Sequence, residues 1–361
     1  MTSANSRHRT PPSHRPVLIT GGAGFIATNL AQRLIDEGRE VVLFDNLSRP
    51  GVERNVAWLQ QRYGNKLTLC IGDIRDINAL RRAARGARDI YHFAAQVAVT
   101  TSLTEPLEDF EVNARGTLNL LEIAREQSPS PSIVFTSTNK VYGSLGELGL
   151  AEHPTRYVPV DDDVRQHGIS ERHALAFHSP YGCSKGAADQ YVLDYAKTFG
   201  LHAVVLRMSC IYGPHQCGNE DQGWVAHFLA QALAGRALTI YGDGRQVRDV
   251  LFVSDLTEAL VMAQRDAAAL AGHAFNIGGG PGQSTSLLEL IDLVGRLTRR
   301  RVACKFAKSR AADQRFYVTD FRRFQQATGW KPVVSLENGV TELLAWLHHG
   351  RGALSAATAA S

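Results

Sequence analysis

Cysteine is scarce in this chain. The 361 residues contain five, Cys70, Cys183, Cys210, Cys217 and Cys304, and no two are spaced as Cys-x-x-Cys. An odd, scattered set argues against a disulfide framework or a zinc site, and a reducing cytoplasm is the expected compartment. No apolar run is long enough to span a bilayer, and the start shows no signal-peptide pattern, so neither a membrane protein nor a secreted one is expected. Net charge is also small, with 39 basic against 35 acidic residues leaving +4. That balance can draw in small anions but is no nucleic-acid footprint. The acidic run Asp161-Asp162-Asp163 lacks the spacing of a calcium loop. It reads as a solvated loop or helix cap, and no metal is expected. No internal repeat is visible.

What is present is a packed globular composition, 44% hydrophobic with 32 glycines, long enough for one large α/β unit or two smaller lobes. Residues 1–15 are polar and aperiodic and are expected to be a disordered tail. Pro16 to Thr20 is an apolar run of strand length. Gly21-Gly22-Ala23-Gly24-Phe25-Ile26-Ala27 follows at once, and a helical pattern runs from Asn29 to Glu37. A glycine turn between strand and helix lets the backbone approach a pyrophosphate, which the helix N-terminus then attracts. Gly21, Gly24, Phe25 and Ile26 are the candidates for that contact. The next strand, Glu40 to Phe44, ends in Asp45-Asn46, about 20 residues past the glycines, where a carboxylate bonds the adenosine ribose. A carboxylate repels the extra phosphate of NADP, which favours NAD, although Arg49 nearby would suit that phosphate. Capping the following turn is the other role open to Asp45.

Leu67 to Ile71 is a third strand, ending in Gly72-Asp73-Ile74, with Asp73 placed to accept from an adenine amino group. Ile90 to Ala94 is a fourth, leading into Ala95-Gln96; His92 within it reads as a packed core residue. Pro106 to about Arg125 is a long helix carrying Asn113, and Ser132 to Thr136 is a fifth strand leading into Ser137-Thr138-Asn139-Lys140. Regular alternation of strand and helix specifies a parallel, doubly wound sheet with its ligand at the carboxyl ends of the strands. From about Gln222 the pattern turns mainly helical, which predicts a smaller substrate lobe over 211–350, partly interleaved with a dinucleotide domain over 16–210. Residues 351–361 are Ala/Ser-rich and read as a loose tail. Arg248 and Arg315 are candidates to clamp a diphosphate, a task suited to a planar guanidinium.

Ser179-Pro180-Tyr181-Gly182-Cys183-Ser184-Lys185 brings the chemistry. Ser179 can cap a helix and Pro180 suits its first turn. Tyr181 and Lys185 then share one helix face. A nearby ammonium favours the phenolate, so such a tyrosine can take a proton from a sugar hydroxyl while hydride leaves the same carbon. His178 abuts this helix, where it either lines a sugar pocket or serves structure.

The glycine turn, Asp45, Asp73, Asn113, Thr138 and Tyr181-x-x-x-Lys185 together resemble the extended short-chain dehydrogenase/reductase superfamily of nucleotide-sugar enzymes, from about Val17 to about His348. Residues 137–143, 177–191, 221–225 and 246–251 closely resemble its subgroup of CDP-sugar 2-epimerases. The resemblance implies a Rossmann-like domain holding NAD tightly, with Ala94 and Ala95 in the cofactor cleft. Thr138, Tyr181 and Lys185 would be catalytic, Asn113, Tyr181 and Lys185 would also contact the NAD, with Lys185 on the nicotinamide ribose, and Asn139 and His178 would lie near the sugar. It also implies a homo-oligomer, dimer or tetramer, paired through the helix that bears Tyr181. Related 4,6-dehydratases carry an Asp-Glu pair after the threonine because elimination needs an acid and a base. Here Asn139 and Lys140 stand there, so epimerisation is the expected reaction. Arg207 opens an Arg-x-x-x-x-Tyr-Gly-Pro segment in which Cys210 replaces the asparagine of many relatives and Met208 stands where the subgroup can carry a polar residue. A UDP-sugar 4-epimerase and a non-catalytic dinucleotide sensor are the competing readings, and the retained Tyr–Lys pair weighs against the sensor.

Overall fold

The structure, a computed structural model, describes residues 15–310 and 313–359. The tail expected over 1–15 therefore lies outside the described residues except for Arg15, whose guanidinium donates to the carbonyls of Gly86 and Ala87.

Seven strands form one parallel sheet: β1 (Val17–Thr20), β2 (Val41–Asp45), β3 (Leu67–Ile71), β4 (Asp89–His92), β5 (Ser132–Thr138), β6 (Ala203–Met208) and β7 (Ala274–Ile277). Their spatial order is β7-β6-β5-β4-β1-β2-β3. The chain leaves β1 toward β2 and β3, then crosses back to β4. That reversal opens a crevice beside the carboxyl ends of β1 and β4. All four residues of β1 are buried, as expected for a strand covered on both faces. On one face α1 (Phe25–Asp36) packs Leu30, Ala31 and Leu34 with Leu256, Ala259 and Leu260 of the Val253–Arg265 helix. On the other, α2 (Ser179–Phe199) packs Ala188 and Val192 with Leu120 and Ala124. The result is a three-layer sandwich.

The second lobe is less helical than its sequence suggests. Its core of Val225, Phe228, Leu229, Leu238, Ile240, Leu290 and Leu343 joins helices to the Leu238–Tyr241 strand. Val247–Phe252 pairs with Cys210–Tyr212, Ser284–Ser286 and Phe316–Tyr317 in a second, mixed sheet. The lobes interleave, because Val253–Arg265 and β7 return to the first layers. The last helix is Leu336–Ala359, so the backbone over 351–359 is helical where the composition suggests a loose end, and the rest of that expected tail lies outside the described residues.

Two elements end differently from the simple periodic reading, both beside the crevice. Strand β4 stops at His92, and Phe93 onward leaves the sheet to form the wall. The long helix from Pro106 is interrupted by a wider π turn, Glu111–Arg115, which carries Asn113. Such turns alter side-chain direction without ending a helix. Among the described residues, no helix is long and apolar enough to cross a membrane. Asp161 caps the helix Asp162–His167 by accepting from the Val164 N–H at 2.9 Å.

Candidate active site

A continuous cleft of about 950 Å³ runs along the carboxyl ends of the strands and out between the lobes. Gly21, Gly24, Phe25, Ile26, Asp45, Asn46, Asp73, Ile74, Ala94 and Ala95 line one arm of it. Gly21 has a φ of +67°, and a Cβ there would lie 2.7 Å from the Ala94 nitrogen, so only glycine fits this turn. The first turn of α1 has no capping side chain and no acidic residue, so its N–H donors are open to an anion. Asp45 takes the turn-capping role and also lines the cleft. Its carboxylate accepts from the Ala23 N–H at 3.0 Å and the Leu47 N–H at 2.8 Å, locking the glycine turn while it faces the cleft. Asp73 is gripped through both oxygens by Arg75 at 2.8 Å and accepts from Asn46 at 3.0 Å. The guanidinium holds its carboxyl below the usual range, so it stays an acceptor. This cradle of glycine, helix end and two fixed carboxylates fits a dinucleotide with a free ribose hydroxyl.

Thr138, Asn139, Tyr181 and Lys185 line the middle of the cleft. Ser179 is the first residue of α2 and not its N-cap, a position His178 holds without a side-chain bond; Ser179 has a φ of +69° and its Oγ still accepts from the Gly182 N–H at 3.3 Å. Arg207 braces the far side of α2 through Asp189, with both contacts at 2.9 Å. Tyr181 is buried and its phenol pairs with Thr138. The expected lowering of the phenol by Lys185 is not seen. Burial pushes Tyr181 up to about 12, partly offset by Thr138. Lys185 donates to the Thr136 carbonyl at 2.8 Å and lies 4.2 Å from the centre of the Phe135 ring. Burial also pushes its ammonium down to about 7, against the pull of Asp189 and Asp109. Desolvation here outweighs attraction across the pair, so both groups favour their neutral forms.

Three expected residues do not line the cleft. Asn113 is buried behind its wall, where its amide accepts from the Gln96 N–H at 2.9 Å and donates to the Gln96 carbonyl at 3.0 Å. It also donates to Ser184 Oγ at 3.0 Å, tying that loop to α2. Its part is therefore to hold the wall in place. His178 is exposed just before α2 and is not among the residues that line the cleft. Arg315 points into a neighbouring cavity of about 450 Å³, its guanidinium 5.5 Å from the Tyr157 ring centre. Strand Phe316–Tyr317 reverses side chains residue by residue, which the sequence reading did not resolve.

Arg248 does line the other arm. Its guanidinium donates to Asp313 at 2.7 Å and to the carbonyls of Val247 and Gln314 at 2.7 and 2.6 Å. Arg310, which the sequence reading missed, lies 3.9 Å above the Tyr241 ring and donates to the Glu220 carbonyl at 2.9 Å. Nothing but its cationic character marks it in the sequence. Arg49 reaches Gln222 across the cleft at 2.6 Å. The buried His92 bonds the hydroxyls of Thr20 and Thr117 at 2.6 and 3.0 Å, and burial pushes its imidazole down to about 3.

The chain is 43% identical to the CDP-paratose 2-epimerase of Salmonella typhi, covering 91% of this chain and 98% of that one. The structure matches the UDP-glucose 4-epimerase of Thermotoga maritima, solved with UDP-glucose, at 29% identity and a TM-score of 0.78, covering 93% and 99% of the two chains. It matches the dTDP-glucose 4,6-dehydratase of Streptomyces venezuelae, solved with NAD, at 28% identity and a TM-score of 0.79, covering 93% and 98%. Residues 17–278 match the profile of the NAD dependent epimerase/dehydratase family, and the chain belongs to that family.

Proposed function

We propose that this chain is an NAD-dependent 2-epimerase of a CDP-linked sugar of the paratose/tyvelose type. The observation that carries the reading is the Thr138–Tyr181 pair followed directly by Asn139 and Lys140, a cleft centre equipped to move one proton but without the carboxyl pair that elimination needs. The similarity to the CDP-paratose 2-epimerase supports the choice of sugar nucleotide. We assign residues 16–210 mainly to the cofactor and 211–350 mainly to the nucleotide sugar.

When bound, NAD supplies the hydride acceptor and then the donor at one carbon. Gly21, Gly24, Phe25 and Ile26 hold its pyrophosphate, Asp45 its adenosine ribose, and Asp73 with Ile74 its adenine end. Tyr181, once present as its phenolate, takes the proton of the C2 hydroxyl as the ketone forms. Thr138 bonds that same oxygen, and Lys185 anchors the helix face beneath it. After the sugar turns over and C2 regains its hydride on the other face, Tyr181 returns the proton to the C2 oxygen. Held near 12, Tyr181 rests as the neutral phenol and must lose that proton before it can accept one, so the forward abstraction gains most from any cationic charge that favours the phenolate. The apolar face of Leu107, Phe110, Tyr191 and Phe199 supports pairing of two copies through α2, which light scattering would test. Five free thiols suit a reducing cytoplasm.

Incubation of the purified protein with CDP-paratose, followed by NMR at C2, tests the assignment. Inversion at C2 supports it; an unchanged C2 with NAD still bound overturns the substrate. A UDP-sugar 4-epimerase is the second reading, favoured by the likeness to the Thermotoga enzyme. Turnover of UDP-glucose in preference to CDP-sugars would select it.

A further inference from the structure

Lys140 is the one cationic side chain of the cleft centre that the reaction above does not use. Its N–H donates to Thr138 Oγ1 at 3.2 Å, which fixes it directly beyond the catalytic threonine. Its side chain lines the cleft, and among the described residues the hydrogen-bond partner of the ammonium is the Gln314 amide oxygen, at a long 3.5 Å. An ammonium carries three donors, so most of this capacity is unspent.

Gln314 makes the arrangement informative. It is fully buried and donates to the Gly143 carbonyl at 2.7 Å. Its own carbonyl accepts from Arg248 at 2.6 Å. One rigid residue therefore holds two cations on the same wall. Among the described residues, the carboxylate paired with either cation is Asp313, and it is bonded to Arg248. Arg248 opposes the charge on Lys140, Asp313 and Cys210 favour it, and burial brings the ammonium down to about 8. Two neighbouring cations with one anion leave room for a further negative charge.

The geometry of the sugar says which charge this is. In a nucleotide sugar only the anomeric carbon and one bridging oxygen separate C2 from the sugar-side phosphorus. From C4, two more ring atoms intervene. An enzyme that presents C2 to its tyrosine must therefore hold that phosphate close to the catalytic centre. We propose that Lys140, beside Arg248, binds the sugar-side phosphate of the substrate and so places C2 at Tyr181. This rests on the 2-epimerase reading for the identity of the carbon; the phosphate subsite itself stands on the two cations.

The test compares CMP and CDP binding to the NAD-loaded protein by calorimetry, in the wild type and in Lys140→Met. CDP carries the second phosphate and CMP does not. The expected result is a tenfold or greater loss of CDP affinity with CMP within twofold of wild type, and recovery of most of the loss in Lys140→Arg. Equal CDP affinity in variant and wild type overturns the proposal, as does an equal fall for CMP and CDP, or a wild type that binds CMP as tightly as CDP. If Lys140→Met does not retain NAD, Lys140→Gln is read in its place. If uridine nucleotides bind better than cytidine ones, UMP and UDP replace the pair and the same outcomes decide. Failure to invert CDP-paratose would remove the 2-epimerase reading while leaving this binding difference to be judged by itself.

Discussion

The two arms of the cleft are built by different means. The dinucleotide arm is made of backbone and short-range contacts. Gly21 approaches Ala94, Asp45 ties back to Ala23, and Asp73 is held by Arg75 two residues on. Each piece is the turn after one strand of a parallel sheet. The other arm is made of side chains that meet from distant parts of the chain: Lys140 with Gln314, Arg248 with Asp313, Arg310 with Tyr241. The first arm recognises a ligand by fixed backbone geometry, the second by a constellation of charge. Sequence spacing describes the first kind and is nearly silent about the second.

The largest test of this contrast is at the junction. Tyr181→Phe should reduce turnover by about a hundredfold to ten-thousandfold while bound NAD is retained. NMR of the sugar and cofactor content by absorbance would check it, and unchanged turnover would remove Tyr181 from the mechanism. On the charged arm, Arg248→Ala should weaken sugar-nucleotide binding by about 1.5–3 kcal/mol, read as a rise in KM with NAD content unchanged. If NAD is lost as well, the arms are not separable. On the backbone arm, Gly21→Ala should do the converse. Strain of about 1–3 kcal/mol from a Cβ at positive φ against the Ala94 backbone falls on NAD retention, with the CMP affinity preserved. Calorimetry with CMP and fluorescence of bound cofactor distinguish the outcomes.

The smallest effect concerns stability. His92 sits neutral in the sheet, pushed from an ordinary 6.5 to about 3. A histidine whose folded value is depressed gives full stability above its unfolded value, and that stability is lost as pH falls toward the folded one. Between pH 7 and 5.5 the loss from this group should be about 1.4 kcal/mol. His92→Asn should flatten that part of the pH profile in urea unfolding, at some cost in stability at pH 7. A slope unchanged by the substitution would place the acid sensitivity elsewhere, with His215, which burial lowers to about 4, as the next group to alter.

The helix turn that pairs Tyr181 with Lys185 is legible because the spacing alone places both on one face. Its electrostatics are not legible, because they depend on how much water the fold removes. That is why the phenol rises toward 12 where the spacing suggests a fall. Asn113 is found by its motif, yet only the π turn shows that it braces the Gln96 loop instead of facing the ligand. Arg315 and Arg310 are five residues apart and look alike in sequence. Arg315 borders only the neighbouring cavity, whereas Arg310, held over the Tyr241 ring, borders both that cavity and the cleft.

By itself, the amino-acid order determined the parallel sheet, the glycine turn, the two carboxylates after the next strands and the helix that pairs Tyr181 with Lys185. These follow from periodicity and from backbone positions that only particular residues can occupy. The tertiary structure alone decided which cations share a wall, which candidates face away, and how far burial shifts each proton. Those are set by distances between residues far apart in the chain and by exclusion of water, and neither is written in local spacing.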